Sequence, residues 1–248
     1  MRKKKIKSTM VTYKIVADRN GKLKTAGITA CNFWNGFIRP KTDIVIRLGL
    51  FTEDSDTIAQ AWEPFKKSGV VYGRIEFNTE YLRSFSSNKV AGTIVHEIGH
   101  TLGVGWKKWL TLFDNDSGVF KPKAVEACRD LSEMEVELDG GPGTELSHWD
   151  EDIFKKELMT GYQDSAEHVL PVTVAVMGLL GHTVKKELKA KTGLNKLLKA
   201  EAAVTFSSAK KSEARKIDRD HFVETQVRET IPHARRRVDP RRPFFTGE

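Results

Sequence analysis

Apolar and polar positions change rhythm along the chain, and the changes divide it into elements. Val11 to Val16 and Asp43 to Leu50 read as strands, the second by its alternation. Gly27 to Phe37, with Ile28, Cys31, Trp34 and Phe37 at helical spacing, predicts a first helix. Ile58 to Trp62 reads as a short helix. Val70 to Phe77 reads as a further strand, in which Gly73 marks a bulge or close approach. Ala91, Ile94, Val95, Ile98, Thr101 and Leu102 make the next helix mostly apolar. Trp106 to Leu112 leads into an insertion whose Ala124 to Met134 is expected to be helical, with Trp106 and Trp109 capping its core. Gly140 to Gly143 predicts a tight turn, and Val172 to Leu180 a last apolar helix or buried segment. Lys185 to Lys199, carrying Leu188, Leu194, Leu197 and Leu198, reads as a basic amphipathic helix interrupted by Gly193.

The chemistry lies on the mostly apolar helix, in the run Val95-His96-Glu97-Ile98-Gly99-His100-Thr101-Leu102-Gly103. Residues four apart lie one turn above each other, so the imidazoles of His96 and His100 can converge on one metal ion. Two neutral nitrogen donors suit zinc. Glu97, one position on from His96, is placed to reach a water at an open coordination position, as a general base does. Peptide-bond hydrolysis is the reaction such a pair of imidazoles and a carboxylate serves. Two His and a Glu among apolar flanks would be buried without partners unless a metal were present, which argues against a solvated face.

A catalytic zinc usually takes three protein ligands. Gly103 is placed to end the helix in the left-handed conformation, and Trp106 follows it by three residues. Indole offers no in-plane lone pair, so Trp106 is excluded as a ligand. Glu126, Asp114 and Asp116 are rivals by residue type, without a supporting motif. Asp114-Asn115-Asp116-Ser117-Gly118 lacks the Glu that closes a calcium loop, since Val125 stands there, and reads as a turn.

His-Glu-x-x-His-x-x-Gly, followed downstream by Gly140-Gly141-Pro142-Gly143-Thr144-Glu145-Leu146-Ser147-His148-Trp149 and by Glu157-Leu158-Met159-Thr160-Gly161, resembles the leishmanolysin-like branch of the metzincins, and bacterial members in particular. The resemblance covers about Gly73 to Val184 well and the first seventy residues in outline. It implies one Zn2+ per chain held by His96, His100 and His148, with Met159 in a turn beneath the metal. It also implies an extended substrate that pairs with a sheet-edge strand before the helix, for which Gly73, Arg74, Ile75, Glu76 and Phe77 are the candidates. An ordinary half-buried strand is the other reading of those five. Tyr162, three residues beyond Met159, is a candidate oxyanion donor at a spacing that differs from the family's. Members are commonly secreted or surface-bound.

Charge refines the ends of the chain. Its net charge is +8 over 248 residues. From Lys185 onward 17 basic residues face 9 acidic ones, so the excess lies there; Arg2, Lys3, Lys4, Lys5 and Lys7 add +5, leaving residues 8–184 at −5. Arg235-Arg236-Arg237 and Arg241-Arg242 form a basic end of the kind that meets an acidic or nucleic-acid partner, though no recognition motif accompanies the charge. From Ser207 polar and charged residues dominate, as in a solvated tail. The uncharged stretch Val169 to Gly181 is too short to span a membrane, and the basic N-terminus lacks the apolar middle of a signal peptide. Cys31 and Cys128 read as small buried residues. His168, His182, His221 and His233 have no partner at ligand spacing.

The expected fold is thus α+β, of metzincin-type zincin architecture: an N-terminal twisted mixed sheet with helices, then a less regular C-terminal subdomain. Residues 1–184 form the catalytic body, divided near 103 into upper and lower parts, and 185–248 a basic helical or partly disordered tail. The expected function is a zinc metalloendopeptidase acting on protein or peptide. A non-catalytic zinc-containing binding or assembly protein and a cell-wall peptide hydrolase are the alternatives.

Overall fold

The computed structural model describes residues 8–128, 134–200 and 234–237. Strand β1 (Val11–Ile15), helix α1 (Lys22–Phe37), β2 (Ile38–Arg39), β3 (Ile44–Phe51), β4 (Thr57–Lys67), β5 (Val70–Asn78), α2 (Thr79–Ser84) and α3 (Ser87–Thr101) make the first half. The second half is sparser: α4 (Pro122–Ala127), α5 (Glu151–Phe154), β6 (His168–Val169), α6 (Pro171–Leu179), β7 (Thr183–Val184), β8 (Thr192–Gly193), a helical stretch over 194–200, and β9 (Ala234–Arg237). The result is a mixed α+β body consistent with a metzincin-like domain.

The main sheet runs β1-β3-β5-β4-β9. The first three strands are mutually parallel, while β4 is antiparallel to β5 and to β9. Ser68 and Gly69 turn β4 into β5 with φ of 50° and 79°, the conformation a tight hairpin requires. Alpha helices lie close on this sheet. A Cβ on Gly27 would stand 2.7 Å from Leu48 Cδ1, and one on Gly73 would stand 2.4 Å from Thr101 Cγ2, so α1 rests on β3 and α3 on β5 where only glycine fits. Gly73 is therefore a close approach, as expected. Trp34 joins the two helices by donating its indole N–H to the Val95 carbonyl at 2.8 Å.

Two expectations about the sheet need correction. Ile58 to Trp62 is strand, within β4. Thr57 to Ala61 are all buried, so the run has apolar contacts on both faces, and a short buried run has no period to separate helix from strand. Second, residues 73–77 are not at a sheet edge. β5 lies between β3 and β4, and its backbone groups are taken up by ladders on both sides. Ile75 and Phe77 are core residues, and Arg74 stacks on the Trp62 ring and pairs with Glu76 at 2.7 Å.

α1 begins earlier than its apolar period indicates, because the Asp18 carboxylate accepts from the Leu23 and Lys24 amides, at 3.0 Å each. The Asp114 loop is a turn: its carboxylate accepts from Asp116 N, Ser117 N and Ser117 Oγ, which also holds its pKa below the ordinary value. Of the helix expected over Ala124 to Met134, only the part up to Ala127 is found, in α4; Cys128 caps it, Met134 is not helical, and residues 129–133 lie outside the described ones. Trp109 sits in an aromatic cluster with Phe113, Phe120, Trp149 and Phe154. Lys185 to Thr192 does not form the first turns of an amphipathic helix; only 194–200 is helical, and Leu194, Leu197 and Leu198 bury into the core. Arg2 to Lys7, Ser207 onward apart from β9, His221, His233, Arg241 and Arg242 lie outside the described residues. No described helix is long and apolar enough to cross a membrane.

Candidate metal centre

α3 starts where the Ser86 hydroxyl accepts from Lys89 N at 3.3 Å, and it is buried almost all round from Val90 onward. It ends as the sequence indicates: Leu102 N bonds to Ile98 O at 2.8 Å and Gly103 takes φ +123°. His96, Glu97 and His100 on this helix are completely enclosed. Trp106, at the position excluded as a ligand, donates its indole N–H to the His100 carbonyl at 2.7 Å and so fixes the end of the helix that carries the second imidazole.

His148 reaches the same place from a loop. The turn at Gly140, Gly141 and Gly143 has φ of 80°, 71° and 91°, and the Gly141 carbonyl accepts from Thr144 N and Glu145 N. Leu146 then takes φ +58°, an unfavourable conformation for a branched side chain, held by its amide on Glu137 O and its carbonyl under Trp109 Nε1. The structure brings His96, His100 and His148 together as a group able to hold a metal ion.

Their Nε2 atoms form a triangle with sides of 3.0, 3.1 and 3.2 Å. Each Nδ1 faces a backbone carbonyl: His96 on Leu158 at 2.6 Å, His100 on Val104 at 3.2 Å, His148 on Thr144 at 3.0 Å. A carbonyl only accepts, so each Nδ1 carries the proton and each Nε2 presents a lone pair. Three lone pairs at this separation, shielded from water, repel one another unless a cation lies among them. Nitrogens bound at about 2.0–2.1 Å to a tetrahedral ion stand roughly 3.3 Å apart, close to the triangle found here. The donor set therefore fits a metal ion.

Met159 packs against the helix that carries His96 and His100. A Cβ on Gly99, between the two helical imidazoles, would stand 2.6 Å from Met159 Sδ, so the side chain packs directly on the helix backbone. Tyr162 is buried, with its hydroxyl 3.0 Å from where a Gly140 Cβ would be. The rivals for third ligand are not in the cluster: Asp114, Asp116 and Glu126 are exposed. Burial pushes the Cys31 thiol up to about 12 and Cys128 up to about 11, which suits core residues. His182 donates its Nε2–H to Leu102 O at 2.7 Å, capping α3.

Several supporting residues escaped sequence reasoning. The carbonyls that orient the imidazoles have no side-chain signature. Thr173 gave only one signal, a hydroxyl in an otherwise apolar run, and Glu157 stood within a quoted motif with no role of its own.

A buried three-imidazole donor set on a mixed α+β body is a site fit to hold a metal ion. A family model described as leishmanolysin matches residues 36–191, and the chain belongs to the leishmanolysin peptidases. It is accordingly a metalloprotease, with protein or peptide as the class of substrate. A search of the curated proteins finds no match to it.

Proposed function

We propose that the chain is a zinc-dependent endopeptidase of metzincin type whose catalytic body comprises residues 1–184, with Leu194, Leu197 and Leu198 packed into its core. The convergence of three Nδ1-protonated imidazoles on one point is the observation that carries this reading. His96, His100 and His148 would hold one zinc, which when bound supplies Lewis acidity toward water and the scissile carbonyl.

Glu97 lies one residue from a ligand and is fully enclosed, so its carboxylate acts at low local dielectric. It takes the proton from the attacking water and returns it to the amine nitrogen as the peptide bond breaks. Met159 gives the imidazoles an apolar floor that cannot compete as an oxygen donor. Tyr162 is the candidate hydrogen-bond donor to the developing oxyanion.

The test is metal content by elemental analysis together with hydrolysis of an unfolded protein. About one zinc per chain is expected, sharply reduced in His148→Ala. Glu97→Ala should keep the zinc and lose hydrolysis; activity retained in Glu97→Ala would sink the assignment of the base.

A further inference from the structure

Glu157 is completely buried. Its carboxylate accepts from Met159 N at 2.6 Å through one oxygen, and from Leu170 N at 3.1 Å and Thr173 Oγ at 2.7 Å through the other. The first bond closes the turn that exposes the Leu158 carbonyl to His96 Nδ1. Thr173 in turn accepts from the indole N–H of Trp149 at 3.0 Å, and Trp149 N bonds to Met159 O at 3.0 Å. Trp149 follows His148 directly. One carboxylate thus ties the carbonyl behind the first imidazole to the residue beside the third.

We infer that Glu157 is a positioning residue for the metal: it sets the direction of His96 and His148 together. This rests on the reading of the three imidazoles as metal ligands. Outer-shell partners of this kind typically change metal affinity by roughly 10- to 100-fold. Glutamine is a poor substitute, since its amide NH2 would face the backbone N–H of either Met159 or Leu170, whichever way it is turned.

The experiment is zinc affinity by chelator competition for the full chain and for Glu157→Gln, Thr173→Val and Thr173→Ser, with the thermal midpoint of each metal-free protein measured alongside. Expected is a roughly 10- to 100-fold loss for Glu157→Gln, a smaller loss for Thr173→Val, and near-native affinity for Thr173→Ser, which keeps the hydroxyl. The Thr173 pair serves even if Glu157→Gln does not fold. Native affinity in a folded Glu157→Gln, or equal losses in both Thr173 variants, would overturn the positioning role alone. A native chain that binds no zinc would overturn the metal reading on which it rests.

A second inference stands on the sheet topology. β9 pairs antiparallel with the first part of β4, Thr57 opposite Arg237, Ala59 opposite Arg236, Gln60 opposite Arg235 and Ala61 opposite Ala234, and it also lies against α3. That part of β4 is uncharged, unlike Glu63, Lys66 and Lys67 further along, so no charge protects its edge from another strand. We propose that residues 234–237 are a built-in strand that occupies the edge beside the metal-bearing helix and must leave before an extended peptide can pair there.

The full chain is compared with Arg235→Pro/Arg236→Pro, in which one proline removes an N–H facing β4 whichever way the strand is set. A fluorescent peptide of sequence 230–241 serves as the probe. Expected is measurable binding to the variant and little to the native chain, and a several-fold lower KM of the variant for a ten-residue quenched peptide at similar kcat. Equal peptide binding by the two chains would overturn the proposal. Absence of hydrolysis in both, with binding still different, would remove the peptidase reading and leave the strand exchange standing.

Discussion

The helix and the loop that face each other across the three imidazoles reach the same precision by different means. His96 and His100 ride on α3, where regular backbone geometry fixes their separation and the sheet, α1 and Met159 hold the helix in place. His148 has no such frame. It follows a residue pair with Leu146 at positive φ, and it is held by a glycine turn, isolated β-bridges and an aromatic cluster. Regular structure distributes the constraint over many equivalent backbone bonds, whereas the loop concentrates it in a few side chains. Substitutions on the loop side should therefore move stability and metal affinity together.

The largest effect expected is at Trp149. Its ring is within 5.0–5.2 Å, centroid to centroid, of Trp109, Phe120 and Phe154, and its indole N–H bonds to Thr173. Trp149→Ala should cost about 3–5 kcal/mol in chemical denaturation and weaken zinc binding with it. A cost under about 1 kcal/mol would break the comparison, because the aromatic cluster could not then be what replaces secondary structure there.

Buried carboxyls give the loop side a pH dependence. Burial raises both Glu137 and Glu157 to about 7, against the hydrogen bonds each accepts from backbone amides. The folded chain holds these protons more tightly than the unfolded chain, where the groups titrate near 4.5. Their contribution to stability is therefore complete below about 4.5, declines as pH rises, and is lost above about 7. For a wholly buried carboxyl such as Glu157, a pKa that differs by one between folded and unfolded chain is worth roughly 1.4 kcal/mol. The thermal midpoint of the metal-free protein should accordingly fall measurably across this window. In Glu137→Gln/Glu157→Gln the slope should flatten; an unchanged slope would assign the titration to other groups.

The same contrast decides what could be read before the structure. The α+β class, the strands β1, β3 and β5, the glycine stop after α3 and the helical imidazole pair follow from period and spacing, which are local. His148 needed three separated motifs in the right order, because nothing local distinguishes a loop histidine from a ligand. The assignment of residues 73–77 to an edge failed because strand order is a property of the whole sheet, and β4, misread as a helix, was the strand that encloses them. β9 was likewise hidden: a run of arginines has no strand signature, and its pairing with β4 depends on a partner far away in the sequence.

Gly105 sharpens the comparison at the point where helix and loop touch. It takes φ +84°, and a Cβ there would stand 2.8 Å from Ser147 Cβ and 3.5 Å from His100 Nδ1. Gly69 has a similar φ of +79° with open space around it. Gly69→Ala should lose only the conformational part, about 1 kcal/mol, with zinc affinity unchanged. Gly105→Ala should lose about 1–3 kcal/mol and some affinity, since neither the Ser147 backbone nor His100 can yield without moving a ligand. Equal behaviour of the two variants would mean that the contact carries no constraint beyond its φ.

The smallest effect is expected at the start of α3. Ser86 caps the helix through a single bond to Lys89 N, ten residues before His96 and on the surface. Removing it in Ser86→Ala should cost about 0.5–2 kcal/mol by destabilising the first turn. The imidazoles lie in the second half of the helix, where Val95 O is bound by Trp34 and Leu102 O by His182. Fraying at the N-terminus therefore has no route to them short of global unfolding, and zinc affinity should match the native value. A parallel loss of affinity would show that the helix transmits strain along its length, and that the two sides of the site differ less than their geometry implies.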